Sequence, residues 1–517
     1  MNNKSKSAFI IVLFLLLYFI TSIFFLTSFP FVHSDEAWLS GLTRNMMDTH
    51  NIYCTEAFFD LYPRHPHSIK IIFHLIQMPF IYFLGYNIFT VRLISLIISL
   101  ISLLIFYKVI LNIQKNAIIA IMATILLSLN LQFIYASHFA RQEIIILFFL
   151  MLGLYVYFSL PAPSFKSTLI LGCIIGISIG IHPNSFLLAL IFGFIYMYDW
   201  IIHEKSFKEL SFLIIIVAGF AIVFIFLSLL GDPNFLTHYS QYGSTFGVDL
   251  PIGAKLFTLD DFYLKIFNSI SATYYVPPMK HFWITFIILI PISIGVLISK
   301  RFANEKSRKT LKICIISLFA VQIGILLIGR YNSTSVLFFI PFFYIMLVNV
   351  ISILFHNVKI QYVLYCTLIV LSFVISLTEI KPFLHYRYED YLSEFSSVIP
   401  KDSKTLGNLN SDFYFDNSAL LDYRNLAFIE VNDLSFQEYI DKNGIEYIVH
   451  YEELDYIHNN VNWLILYGED HYYDQMTEFI QNECTLVHSF TDSMYGIRIP
   501  KYMMEYEWKI SIYQVYE

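Results

Sequence analysis

AFIIVLFLLLYFITSIFFLTSFPFVHSDEAW, residues 8–38, decides the class of this chain. Residues 8–29 carry no charge and are long enough to cross a bilayer, which takes about 20 apolar residues. Lys4 and Lys6 precede them, as in a signal peptide. The apolar run is longer than the roughly 7–15 residues of a cleaved signal, however, and no small-residue cleavage site follows it. The reading is a retained signal anchor. Immediately after it stand His33, Ser34 and two adjacent carboxylates, Asp35 and Glu36, at a membrane surface.

Composition extends this reading to the first 380 residues. Of 517 residues, 57% are hydrophobic and 14% charged, with 51 Phe, 37 Tyr and a mean hydropathy of +0.63. Soluble domains carry about 25% charge. Apolar segments recur at 8–29, 88–111, 117–135, 144–160, 167–181, 185–201, 209–230, 281–299, 311–329, 334–355 and 360–379, about eleven spans. The stretch 68–86 is interrupted by His74, Gln77 and Pro79 and reads as a helix lying at the interface. Gly172, Gly176 and Gly180 form a small-residue ladder of the kind that packs helices.

Basic residues orient the spans. With the N-terminus inside, the inner loops hold Lys108, Lys115, Lys166, Lys205, Lys208, the cluster Lys300, Arg301, Lys306, Arg308, Lys309 and Lys312, and Lys359. The Asp-Glu pair then faces outward. An odd span count places the C-terminal region outside too. Residues 381–517 hold 24 of the 39 acidic residues and no membrane-length apolar run, which predicts a soluble extracytoplasmic α/β domain. NLAFIEV, IEYIVHY, NWLILYG, TLVHSF and MYGIRIP read as strands, and Phe436–Ile440 before Gly444 as a helix. Five scattered cysteines show no zinc spacing; a Cys54–Cys484 disulfide is the one pairing open outside the cell.

Charged and imidazole side chains gather on the predicted outer face: Asp35, Glu36, Arg64, His65 and His67 in the first loop, then Arg141 and Glu143, His182, and Arg330. Each alone reads as an interfacial anchor, but the basic residues of the inner loops are mostly lysines, so the gathering marks a site. A carboxylate can deprotonate an acceptor hydroxyl while arginine forks hold a phosphate leaving group. No P-loop, dinucleotide fingerprint or metal-binding helix motif is present. No cofactor is predicted, a divalent metal stays open, and no nucleic-acid partner is expected.

Four segments together resemble the glycosyltransferase-C superfamily, in the branch of the protein O-mannosyltransferases and the lipid A aminoarabinose transferase. They are HSDEAW (33–38), PRHPHSIKIIFHL (63–75) ahead of YNIFTVRLIS, ASHFARQEIIILFF (136–149) and GRYNSTSVLFFIPFF (329–343). The resemblance covers residues 1 to about 380. It implies a membrane glycosyltransferase that moves a sugar, with inversion, from a polyprenyl-phosphate-linked donor to an acceptor hydroxyl on protein, lipid or polysaccharide. It implies Asp35 as the catalytic carboxylate with Glu36 beside it, Arg141 and Glu143 lining the same cavity, and Arg64, His65, His182 and Arg330 as substrate-binding candidates. The chain departs from the family at His65-Pro66-His67, where members often carry Lys-Pro or His-Pro-Pro. Two other readings stay open at this stage: a non-enzymatic flippase or exporter of lipid-linked glycans, and an O-antigen-type polymerase or ligase.

Overall fold

The chain turns from its first apolar helix into the site through a helix cap. His33 Nδ1 accepts the Asp35 amide at 3.0 Å, and the Glu36 carboxylate accepts the His33 amide at 3.1 Å. This reciprocal box satisfies two of the amides that a helix start leaves free. It starts the helix Ser34–Asp48 immediately at the Asp-Glu pair.

The structure, a computed structural model, describes residues 3–160, 164–245, 247–269, 274–299, 304–329, 332–460, 471–496 and 506–516. The predicted strand NWLILYG, Arg330, Lys300, Arg301 and residues 497–500 of MYGIRIP lie outside the described residues. The helices of the first 380 residues are α1 (Asn3–Ile23), α2 (Ser34–Asp48), α3 (Ile71–Leu84), α4 (Ile88–Gln114), α5 (Ala117–Ser128), α6 (Leu131–Ser137), α7 (Glu143–Ser159), α8 (Phe165–Ile179), α9 (Phe186–Ile201), α10 (Phe207–Gly231), α11 (Phe235–Ser244), α12 (Ile252–Phe257), α13 (Leu259–Phe267), α14 (Lys280–Ile298), α15 (Glu305–Ile328), α16 (Ile340–Leu354) and α17 (Val358–Ile380).

Each of the eleven apolar segments falls on helix. Among the described residues, eight helices are long and apolar enough to cross a membrane, nine if α5 and α6, bent by 71°, form one span. Eleven crossings would need α7 and α8 as well. At 1.5 Å per residue these reach only about 22–26 Å against a hydrocarbon core of about 30 Å. Helix α3 is shorter still, carries Pro79 and buries Phe73, His74 and Gln77.

Burial separates central from peripheral helices. In the apolar 18-residue stretch of Ser333–Leu354, 89% of the residues are buried, against 17% in that of Phe207–Gly231 and 11% in that of Ser5–Ile23. A helix that is apolar all round and bare on most of its surface faces lipid. The glycine ladder of α8 packs on α10: an added Cβ at Gly172 would meet Ile216, one at Gly176 would meet Phe220 and one at Gly180 would meet Phe224. The three contacts advance four residues at a time on both helices, as two packed ridges must.

Among the described residues, the C-terminal region forms a five-stranded mixed sheet of order β2-β1-β3-β5-β4, from β1 (Thr405–Gly407), β2 (Leu420–Asp422), β3 (Tyr447–Tyr451), β4 (Cys484–Asp492) and β5 (Trp508–Val515). The parallel pairs are β1 with β2 and β1 with β3; β5 runs antiparallel to both β3 and β4. Helices α18 (Tyr388–Ser396), α19 (Phe436–Asn443), α20 (Glu452–Asn459) and α21 (Tyr472–Glu483) accompany it. The predicted helix is α19, which starts in a Ser435–Glu438 capping box and stops at left-handed Gly444.

Three expectations are corrected. NLAFIEV is not a strand but two 3-10 turns, Tyr423–Phe428 and Glu430–Asn432; the Asp422 carboxylate caps the first through the Arg424 amide. Met494–Gly496 is a bend, its three amides converging on Asp492 Oδ1. Cys54 and Cys484 are both free thiols, and Cys484 is buried in the sheet domain.

The core of the sheet domain is continuous with the loop and helix ends beside it. Its buried side chains form one cluster with Phe29, Phe31, Phe58, Phe59, Val91 and Phe139. Polar ties reinforce the join. Arg44 Nη2 lies 2.9 Å from Asp412 Oδ1, the Tyr86 hydroxyl donates to Asp412 Oδ2 at 2.6 Å, and the Tyr439 hydroxyl donates to Asp60 at 2.9 Å. The loop 30–87 and the sheet domain therefore share one side of the helical bundle.

Candidate functional site

Under the sheet domain lies a cavity of about 980 Å³, at the large end of what small-molecule sites span. Asp35 opens into it from the first turn of α2. Its Oδ2 accepts Arg141 Nη1 at 2.9 Å and the Tyr274 hydroxyl, and its Oδ1, 3.7 Å from His33 Nδ1, carries no hydrogen bond among the described residues. A quarter of the side chain remains exposed. Burial pulls the Asp35 pKa up, but Arg141, His33, the Tyr274 hydroxyl and Arg424 outweigh it. The carboxyl is held well below the usual carboxylate range. It is an ionised carboxylate with one oxygen available.

Glu36 has a different placement. It is fully buried, and its two oxygens accept four hydrogen bonds: Arg92 Nε at 2.8 Å and Nη2 at 2.7 Å, the Ala140 amide at 2.9 Å and the His33 amide at 3.1 Å. Arg92, also fully buried, donates further to the carbonyls of Leu26, Pro30 and Phe31. The pair ties the end of the first span, the start of α2, α4 and the turn before α7 together. Glu36 does not line the cavity.

Arg141 connects Asp35 to Glu143, with Nη2 3.0 Å from Glu143 Oε1, which in turn accepts the Thr334 hydroxyl at 3.1 Å. Burial alone would lower the Arg141 pKa, but Glu143, Tyr274 and Asp35 raise it well above the usual value. Arg64 is gripped by Glu56 through Nε at 2.9 Å and Nη2 at 2.8 Å, and Trp38 Nε1 donates to the same carboxylate at 2.6 Å. Glu56 sits low, at about 2, because Arg64 and these hydrogen bonds overcome the effect of burial. His182 lines the cavity while its Nδ1 caps the turn Pro183–Ser185. His65 is exposed at the wall. The structure thus brings Asp35, Arg64, His65, Arg141 and His182 to one cavity, places Glu143 behind Arg141, and puts Glu36 in the scaffold.

Several lining residues escape sequence reasoning. Tyr274 arrives from the far end of the 231–280 loop, and Arg424 from the sheet domain. Asp232 and His238 follow α10, where an Asp and a His just past a span end were the available signal. With His65 they place three ligand atoms within 4.8 Å of one another, a trio able to hold a divalent cation. The rings of His65 and His238 stack at 3.6 Å and 14°. Imidazole lone pairs lie in the ring plane, so an ion cannot sit in both planes until one ring turns, and His238 Nδ1 is already bonded to Asp232 at 2.6 Å.

Residues 69–231 match the family model described as dolichyl-phosphate-mannose-protein mannosyltransferase. Among curated proteins, no sequence matches. Among solved structures, ArnT from Cupriavidus metallidurans bound to undecaprenyl phosphate superposes with a TM-score of 0.59 at 10% identity, covering 98% of this chain and 97% of that one. The oligosaccharyltransferase of Archaeoglobus fulgidus, in complex with Zn and sulfate, superposes with a TM-score of 0.53 at 12% identity, covering 85% and 68%. The chain is a multi-pass membrane protein that shares its fold with these two solved proteins, and its residues 69–231 match the protein-mannosyltransferase family model.

Proposed function

We propose that this protein is a membrane glycosyltransferase that moves a sugar from a polyprenyl-phosphate-linked donor to an acceptor hydroxyl, with inversion, and that Asp35 is its base. The observation that carries this reading is the Asp35 carboxylate: ionised, at the cavity surface, with Oδ2 anchored and Oδ1 without a hydrogen bond among the described residues. The match to a mannosyltransferase family and a structural neighbour solved with undecaprenyl phosphate support the donor class.

In the proposed step the acceptor oxygen attacks the anomeric carbon and its proton passes to Asp35 Oδ1. The bond from that carbon to the phosphate oxygen breaks with its electron pair, releasing polyprenyl phosphate. The leaving group departs as a stable anion, so a second acid is not needed. Arg141 supplies charge-assisted hydrogen bonds to the phosphate as charge develops on it. A carboxylate held so low in pKa by Arg141 and its neighbours is a weak base by itself. A donor phosphate drawing on Arg141 shares out the positive charge that depresses Asp35 and raises its basicity when substrate is present. Arg64, His65 and His182 supply further polar contacts along the wall.

On this reading the N-terminus is cytoplasmic, and the loop 30–87 and residues 381–517 are extracytoplasmic, in accord with the basic loops on the other side. The test is mass spectrometry of cell-surface glycans in a deletion strain, complemented with wild type or Asp35→Asn. A glycan modification lost on deletion, restored by wild type and not by the variant is expected. A glycan profile unchanged by deletion, or fully restored by Asp35→Asn, would contradict the proposal.

A further inference from the structure

Among the described residues, three arginines line the cavity: Arg64, Arg141 and Arg424. Two of them are already neutralised. Arg64 is gripped twice by Glu56, and Arg141 lies between Asp35 and Glu143. Arg424 is the third, and it comes from the sheet domain, in the 3-10 turn directly after β2.

Its surroundings leave it underused. The side chain is 5% exposed. It forms an ion pair with Asp422, Oδ1 lying 3.6 Å from Nε and so beyond hydrogen-bond distance, and Asp422 is engaged by the amides of Leu409 and Arg424. Nη2 reaches Ser34 Oγ at a long 3.4 Å. Nη1 is buried and has no hydrogen-bond partner among the described residues. The guanidinium lies over the Trp38 ring, 4.6 Å from its centroid, and that stack fixes its plane beside the first turn of α2. A buried guanidinium donor without a partner is expensive unless something fills the place, and a planar fork matches the oxygens of phosphate.

We propose that Arg424 is an oxyanion-binding residue of the cavity, through which the C-terminal sheet domain takes a phosphate oxygen of the polyprenyl-phosphate lipid; this rests on the transferase reading above. The sheet domain then completes the donor site instead of merely covering it. Its ties to α2, through Arg44–Asp412 and the shared core, hold Arg424 in register with Asp35.

The experiment uses the full chain in nanodiscs and measures binding of undecaprenyl phosphate, undecaprenol and inorganic phosphate to wild type, Arg424→Gln and Arg424→Lys, with thermal midpoints for each. Arg424→Gln is expected to bind undecaprenyl phosphate at least tenfold more weakly, with undecaprenol binding unchanged. Arg424→Lys, which keeps the charge but loses the fork, is expected to bind at least threefold more weakly. Inorganic phosphate competing with undecaprenyl phosphate in wild type would show that the subsite reads the phosphate alone; failure to compete would show that it needs the lipid. Either result agrees with the proposal when the variants lose affinity.

A folded Arg424→Gln with wild-type affinity, or equal losses for undecaprenyl phosphate and undecaprenol, would overturn the assignment and leave the transferase reading standing. If Arg424→Gln fails to fold, Arg424→Lys decides by the same measure. Wild type that fails to bind undecaprenyl phosphate would overturn both.

Discussion

Changing Glu36 to Gln keeps the shape of the side chain and removes its charge. The structure fixes what this does. Four donors converge on the carboxylate at 2.7–3.1 Å: two from Arg92 and the amides of His33 and Ala140. An amide group must turn an NH2 toward one Arg92 donor and one backbone amide. Arg92, with no surface exposed, keeps three carbonyls but loses its counter-ion. Breaking a buried pair from one side costs about 3–5 kcal/mol. At about 2.1 cal/mol/K per residue, a chain of this size unfolding as one unit has an entropy near 1.1 kcal/mol/K, so the midpoint should fall by roughly 3–5 °C. The assay is thermal unfolding of purified protein in detergent. The pair variant Glu36→Gln with Arg92→Met, which removes both charges, should recover much of the loss. A midpoint within about 1 °C of wild type, with turnover collapsing as for Asp35→Asn, would refute this reasoning and move Glu36 from the scaffold into the chemistry.

Glu56 carries a pH signature. Its pKa is depressed to about 2 in the fold, so its contribution is fully present above the unfolded value near 4.3 and is lost as pH falls toward 2. The stability gap between wild type and Glu56→Gln, about 3 kcal/mol by linkage, should therefore be constant from pH 7 to about 5 and shrink below that; a gap that widens on acidification would contradict the Arg64 pairing. Gly176→Leu should part α8 from α10, since even a Cβ would stand 2.2 Å from the Phe220 ring, and should lower the yield of folded protein; Phe220→Ala in the same chain should restore part of it, and no restoration would mean the ladder is not the contact.

The bundle was legible because lipid-crossing helices are written as long apolar runs, and Asp35 because a charged pair directly after such a run has few structural uses. The role of Glu36 was not. Arg92 sits inside the apolar run YNIFTVRLIS, 56 residues away, and its pairing with Glu36 depends on how α4 crosses α2. NLAFIEV carries the apolar run of a strand, but Asp422 capping the next turn overrides that pattern. Strands β1 and β2, three residues each, are too short to show any periodicity. Arg424, and the meeting of His65 with Asp232 and His238, depend on contacts between distant segments that no local motif records.

The central claim is that Asp35 takes the proton of the acceptor. Turnover and donor binding of purified Asp35→Asn in nanodiscs test it directly, because an amide can still accept the Tyr274 hydrogen bond but cannot act as a base. General-base assistance contributes about 10²–10⁴-fold, so turnover per folded molecule should fall by more than two orders of magnitude while undecaprenyl phosphate still binds and the variant still folds, with a midpoint lowered only by the lost Arg141 pairing. Near wild-type turnover by the folded variant would end the assignment.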